Sequence, residues 1–160
     1  GKRRSSVLFT GQAEAKIDDK SRLAIPAKFR SKDADGDGKV WFCVPWVKTG
    51  SLRLYPESVF RELAAAGRRD DSLTPEEDRA ELELLLFSST EQAEMDANNR
   101  IRLASWQVEA LGLPGEVMVL GAGNRLEVHS RDGWMATHRA RLGEMASLAE
   151  KLSRRAQGTA

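Results

Sequence analysis

The chain has 160 residues, with 25 Lys plus Arg against 24 Asp plus Glu and a formal net charge of +1, so overall charge gives no argument for a nucleic-acid partner. At this length the chain could be one domain or two small fused ones, each half alone being marginal in buried surface; two interlocked halves sharing one core fit better. A single cysteine excludes an intramolecular disulfide, and no apolar stretch approaches the roughly 20 residues of a membrane-spanning helix.

The basic start at 1–6 lacks a following signal-type apolar region, so a soluble, non-exported protein in a reducing cytoplasm is expected. In chain order, Ala15, Ile17, Leu23 and Ile25 alternate with polar or small residues on both sides of Asp18 to Arg22, the pattern of two half-buried strands flanking a turn. A short helix follows Pro26. Residues 40–44 form an apolar strand that would bury Cys43, and 52–55 alternate again. A helix is predicted from Pro56 to about residue 66, with Val59, Phe60 and Leu63 as its apolar face and Gly67 as its stop. Thr74, Pro75, Glu76 and Glu77 read as a capping box opening a helix through Leu82, Leu85 and Leu86.

The first strand-turn-strand passage then recurs. Asp18 and Arg22 reappear as Asp96 and Arg100, both shifted by 78, within the common pattern apolar-Asp-x-x-x-Arg-apolar-x-apolar. Phe9 and Phe87 share the offset. A half-chain duplication follows. A helix from residue 105 to 111 ends at Gly112, strands follow at 117–120 and 126–129, and residues 121–124 make the turn between them. Here the offset falls to 74, which predicts a longer loop in the first hairpin. A helix starting at Ser130 carries Trp134 at the position of Phe60. Leu142, Met145, Leu148 and Leu152 then give an amphipathic helix in need of a partner surface. The four tryptophans are expected in the core or at an interface.

The duplicated passage has two chemical readings. Asp at the start of a tight turn can accept from backbone N–H groups and pair with the returning Arg, so Asp18–Arg22 and Asp96–Arg100 could be turn-stabilising ion pairs and nothing more. Alternatively each Arg offers a planar fork suited to phosphate or guanine edges. Local charge supports the second reading: residues 16–32 hold six basic and two acidic side chains, whereas 61–83 hold four basic and eight acidic. Lys16, Lys20, Lys28 and Arg30 surround the first copy, and Arg102 shares a strand face with Arg100.

Other chemistry is weaker. Asp33, Asp35, Asp37 and Gly38 match the first half of a calcium loop, but Val44 stands where its final Glu belongs, so an acidic hairpin loop is expected. The paired Asp residues lack the neighbours of acid proteases, and His129 and His138 have no metal-ligand spacing around them. No enzyme activity, metal, cofactor or small-molecule substrate is expected.

In Phe9 to Gly11, Asp18 to Arg30, Leu52 to Pro56 and Asp96 to Arg100, the chain resembles the MraZ family, bacterial transcriptional regulators built from two tandem SpoVT/AbrB-like repeats. The resemblance implies an α+β, β-rich fold: a pseudo-twofold double-psi or swapped-hairpin β-barrel with peripheral helices. Repeat 1 would span 7–66, a linking helix 67–86, repeat 2 87–135, and an amphipathic helix and tail 136–160. It further implies a homo-oligomeric ring, cytoplasmic and nucleoid-associated, that binds repeated boxes in double-stranded promoter DNA and represses the division and cell-wall gene cluster. Lys20, Arg22 and Arg100 would contact DNA, flanked by Arg102, Lys16 and Lys28, while Asp18 and Asp96 structure the turns. Ser21 and Asn99 replace the usual Gly, and Asn98 stands where copy one has Lys20. A ring-forming interaction module that has lost DNA binding is the alternative.

Overall fold

Strand alternation gives the chain two-sided strands, and both sides are used in the structure, a computed structural model that describes residues 7–30, 38–67, 73 and 76–158. The strands among these residues are β1 (Gln12–Lys16), β2 (Arg22–Ala24), β3 (Val40–Trp46), β4 (Ser51–Pro56), β5 (Glu91–Glu94), β6 (Arg100–Arg102), β7 (Glu116–Gly121) and β8 (Leu126–Ser130). The helices are α1 (Glu57–Gly67), α2 (Glu77–Ser89), α3 (Ser105–Leu111), α4 (Arg131–Leu142) and α5 (Glu144–Gly158). Six strands form an antiparallel sheet in the order β1-β7-β8-β4-β3-β5, and β2 pairs with β6 as a separate ribbon.

The fold is therefore α+β and β-rich, but strand pairing closes no barrel, double-psi or otherwise, among the described residues. β1 and β5 remain sheet edges. The ribbon strands have only three residues each and spend them on one another, leaving one isolated bridge, Ile17 to Leu23, towards β1.

The strand order is palindromic: exchanging β1 with β5, β7 with β3 and β8 with β4 reproduces it. Registers carry the same symmetry. β4 and β8 pair about Arg53 and Glu127, 74 apart, and β2 and β6 about Leu23 and Ile101, 78 apart. The falling offset does not lengthen the first hairpin loop, since both connections, 47–50 and 122–125, have four residues. Two of the four extra residues instead extend β3 to seven and β4 to six, against six and five in β7 and β8, and the other two lie in the connection 25–39, against 103–115.

Alternation divides the apolar residues between two clusters. Trp41 and Cys43 of β3, Leu52 and Leu54 of β4, Val117 and Val119 of β7 and Leu126 and Val128 of β8 pack with Leu23 and Ile101 of the ribbon. Each such side chain contributes about 1.5–3 kcal/mol by leaving water. Burial pushes the Cys43 thiol up to about 12, so it is protonated and inert at neutral pH. On the other face, Val44 and Tyr55 meet Val59 and Phe60 of α1, with Phe42 stacked on Phe60 at 4.6 Å.

Several boundaries differ from expectation. Phe87 lies in α2, 6.2 Å from Phe60, whereas Phe9 bridges Gly123 and packs on Phe29 and Trp41, so the correspondence stops short of this pair. The limits 86/87 and 135/136 fall inside α2 and α4. Glu76 is the N-cap of α2 without a side-chain cap; Thr74 and Pro75 of the expected capping box lie outside the described residues, as does the loop at 33–37. The final amphipathic segment is two helices, α4, capped by Ser130 Oγ accepting from Gly133 N, and α5, with Gly143 between them.

Candidate nucleic-acid interface

Both Asp-x-x-x-Arg passages fold into the same turn. Asp18 Oδ1 accepts from the backbone N–H groups of Lys20 at 2.9 Å and Arg22 at 2.8 Å, and its Oδ2 accepts from Arg22 Nε at 2.8 Å. Asp96 Oδ1 accepts from Asn98 N at 2.7 Å and Arg100 N at 3.0 Å, and Oδ2 from Arg100 Nε at 3.3 Å. The reversal needs one left-handed residue, and Ser21 (φ 60°) and Asn99 (φ 59°) supply it. Bonds from the Arg22 and Arg100 backbone N–H groups, with help from their guanidinium groups, hold both carboxyls below the usual carboxylate range.

The turns are joined by reciprocal bonds, Ile25 N to Asn99 O at 2.9 Å and Leu103 N to Ser21 O at 2.8 Å. Leu23 and Ile101 are fully buried, so alternation puts Arg22, Ala24, Arg100 and Arg102 on the ribbon's outward face. Register then sets Arg22 opposite Arg102, and Arg100 opposite Ala24. Directly opposed like charges destabilise a strand pair. Asp18 offsets Arg22, but Arg102 has no ion-pair partner among the described residues. Local rules of this kind give way at functional or strained sites.

This register makes the ribbon lopsided. Arg102, adjacent in sequence to the second turn, joins Lys20 and Arg22 at the end belonging to the first. At the other end Arg100 is offset by Asp96, Asn98 replaces a lysine, and Ala24 stands across. Lys16, the last residue of β1, lies two residues before Asp18 and opposite Glu116, whose carboxylate is held by Arg131 at 2.7 Å. Lys28 is at the other end of that strand, about 13 Å away along the chain, donating Nζ to Gln12 O at 3.2 Å. The six expected contact residues thus divide into a cluster of Lys20, Arg22 and Arg102, with Arg100 and Lys16 to its sides and Lys28 apart.

A second charged group escapes sequence reasoning. At the β4–β8 centre Glu127 pairs with His129 Nε2 at 2.9 Å and Arg125 Nη2 at 2.7 Å, with Arg53 Nε at 3.9 Å. The His129 bond above all, then Arg125, pulls its carboxyl down to about 2. Arg53 in turn lies 4.1 Å over the Trp46 ring. Only the alternation of Glu127 and His129 hints at it. His129 and His138 both lie against Trp134, at 5.5 and 4.7 Å. Among the described residues no group of three His, Cys, Asp or Glu could hold a metal ion, and no helix is long and apolar enough to cross a membrane.

The family model described as "MraZ protein, putative antitoxin-like" matches residues 86–157. The chain is 34% identical over 128 residues to the transcriptional regulator MraZ of Idiomarina loihiensis, covering 79% of this chain and 82% of that protein. It is 35% identical over 130 residues to the one from Chlorobium phaeovibrioides, covering 75% and 82%. With the one from Erwinia tasmaniensis it shares 28% over 150 residues, covering 94% and 97%.

Proposed function

The chain belongs to the MraZ family, a family of transcriptional regulators and not of enzymes, and on that premise we propose that it regulates transcription by binding double-stranded DNA through the β2–β6 ribbon. The observation that carries this reading is the opposed pair Arg22 and Arg102 on an outward face. Lys20, Arg22 and Arg102 meet the phosphates or guanine edges, Arg100 and Lys16 flank them, and Lys28 contributes least because its ammonium is engaged by Gln12. Asp18 and Asp96 hold the turns and do not touch DNA. Residues 7–66 and 87–135 act as two interlocked repeats, joined by the segment 67–86 and followed by the segment 136–160.

One such patch is small, so affinity comes from several copies in a homo-oligomeric ring engaging repeated promoter boxes, repressing the division and cell-wall cluster in the nucleoid. The test is a gel shift on DNA upstream of the protein's own gene. Wild-type chain should retard it at low salt, and Arg22→Ala should not, with oligomer mass unchanged. Retention of binding by that variant would refute the ribbon as the interface.

A second reading, a ring-forming interaction module without DNA binding, is favoured by the pairing of Arg22 and Arg100 with their own aspartates and by Asn98 in place of a second lysine. It expects the same assembly and no retardation at low salt.

A further inference from the structure

α1 and α2 stand over the outer face of β3 and β4 with a groove of about 730 Å³ between them. Tyr55, Phe60 and Phe87 contribute to its lining, as do Leu63 of α1 and Leu82 and Leu86 of α2. Leu63 is 45% exposed and Leu82 62%. An exposed apolar surface of this kind, bounded by charge, marks an interaction site. At the α2 side of the boundary stand Glu76, Asp78 and Glu83 with one cation, Arg79, while a second, Arg53 of β4, lines the groove and faces Glu127 and the Trp46 ring. None of the three acids has an ion-pair partner among the described residues.

The same chain carries a surface of the opposite character. Every residue of α5 is exposed. Met145, Leu148 and Leu152 recur at helical spacing and form one stripe, exposed by 64, 51 and 63%. Lys151 and Arg155, one turn apart, flank that stripe and have no ion-pair partner among the described residues, while Arg154 is paired with Glu150. Lengths agree as well. Met145 to Leu152 covers about 11 Å of helix axis and Asp78 to Leu86, along the groove wall, about 12 Å. No residue of α4 or α5 lines the groove of its own chain.

We infer that α5 of a second copy docks in the α1–α2 groove, seating Met145, Leu148 and Leu152 between Leu63 and Leu82 and setting Lys151 and Arg155 against Glu76, Asp78 and Glu83. The two surfaces differ, so the contact is heterologous: it closes either by two copies exchanging helices or by head-to-tail repetition into a ring. The inference rests on the self-assembly proposed above and names the surfaces that make it.

The test uses the full chain, a groove variant (Leu63→Asp with Leu82→Asp) and a helix variant (Leu148→Asp with Leu152→Asp), weighed by light scattering. All four positions are exposed, and thermal melts by circular dichroism check that both variants fold. Wild type should exceed monomer mass, each variant alone should be monomeric, and a 1:1 mixture should give a dimer, because each supplies the surface the other lacks. If wild type assembles but either variant keeps its mass, or the mixture stays monomeric, the docking mode is wrong and assembly stands. A monomeric wild type overturns both. Lys151→Glu with Arg155→Glu, which leaves the apolar stripe intact, should weaken assembly severalfold at low salt; unchanged assembly counts against the proposed orientation.

Discussion

Arg22 and Arg102 face each other across the ribbon at a cost that cross-strand pairs of like charge carry, up to about 1 kcal/mol. Binding and stability should therefore respond to Arg102→Ala with opposite signs. Removing a phosphate or base contact should weaken promoter binding about tenfold to a hundredfold, from roughly 1–3 kcal/mol, while urea stability stays level or rises by a few tenths of a kcal/mol. Arg100→Ala, at the compensated end, should cost less binding. The left-handed residues give a second contrast. Asn accepts this backbone more readily than Ser, so Ser21→Gly should stabilise by up to about 1 kcal/mol and Asn99→Gly by less, read as a shift in urea midpoint. Each Asp–Arg turn was legible in the sequence because its partners lie within four residues. The partnership of Arg22 with Arg102 was not, because it is fixed by pairing between residues 80 apart.

At the level of strands and helices, Glu127 of β8 is held by its own hairpin's Arg125 and His129 and reaches across to β4 through Arg53. Its folded pKa, about 2, lies below the ordinary 4.5, so the stability it contributes is complete above about pH 4.5 and is lost as pH falls towards 2. Asp18 and Asp96 are lowered too and add to the loss below about pH 4. Glu127→Gln should lower stability at pH 7 and flatten the acid limb in urea melts between pH 2 and 7; an unchanged limb would exclude Glu127 as its source. Period-two alternation gave the sequence reading the strands beside the turns and at 52–55 and 126–129, and unbroken apolar runs gave β3 and β7, which bury residues on both faces. It could not tell a longer loop from longer strands, since an offset counts residues without saying where they pair. Nor did it find Gln107, fully buried, whose Nε2 donates to Cys43 O at 3.1 Å and Ser89 O at 2.8 Å. A lone polar residue on a short helix looks solvated until the strand and the helix end it bridges, β3 and the C-terminus of α2, are known.

Across the whole molecule, a net charge of +1 and a lopsided ribbon leave each copy with few cations free to displace counterions. Among the described residues Lys20 and Arg102 have no ion-pair partner, while Arg22 and Arg100 carry their own carboxylates. Each phosphate neutralised contributes a slope of about −0.9 to log K against log salt, so one copy should show a slope near −2 to −3. An assembly engaging several boxes multiplies that figure by the number of copies in contact. Fluorescence anisotropy between 50 and 200 mM salt, ranges over which such slopes are resolved, should give a steep slope for wild type on a multi-box fragment. The Leu148→Asp/Leu152→Asp variant should keep the ribbon yet fall to the single-copy slope on every fragment. If that variant is monomeric but retains the wild-type slope, affinity resides in one ribbon; if both slopes are near zero, the ribbon does not bind phosphate. Only the combination of a shallow slope in the monomer and a steep one in the assembly joins the arginine register to the apolar helix at the other end of the chain.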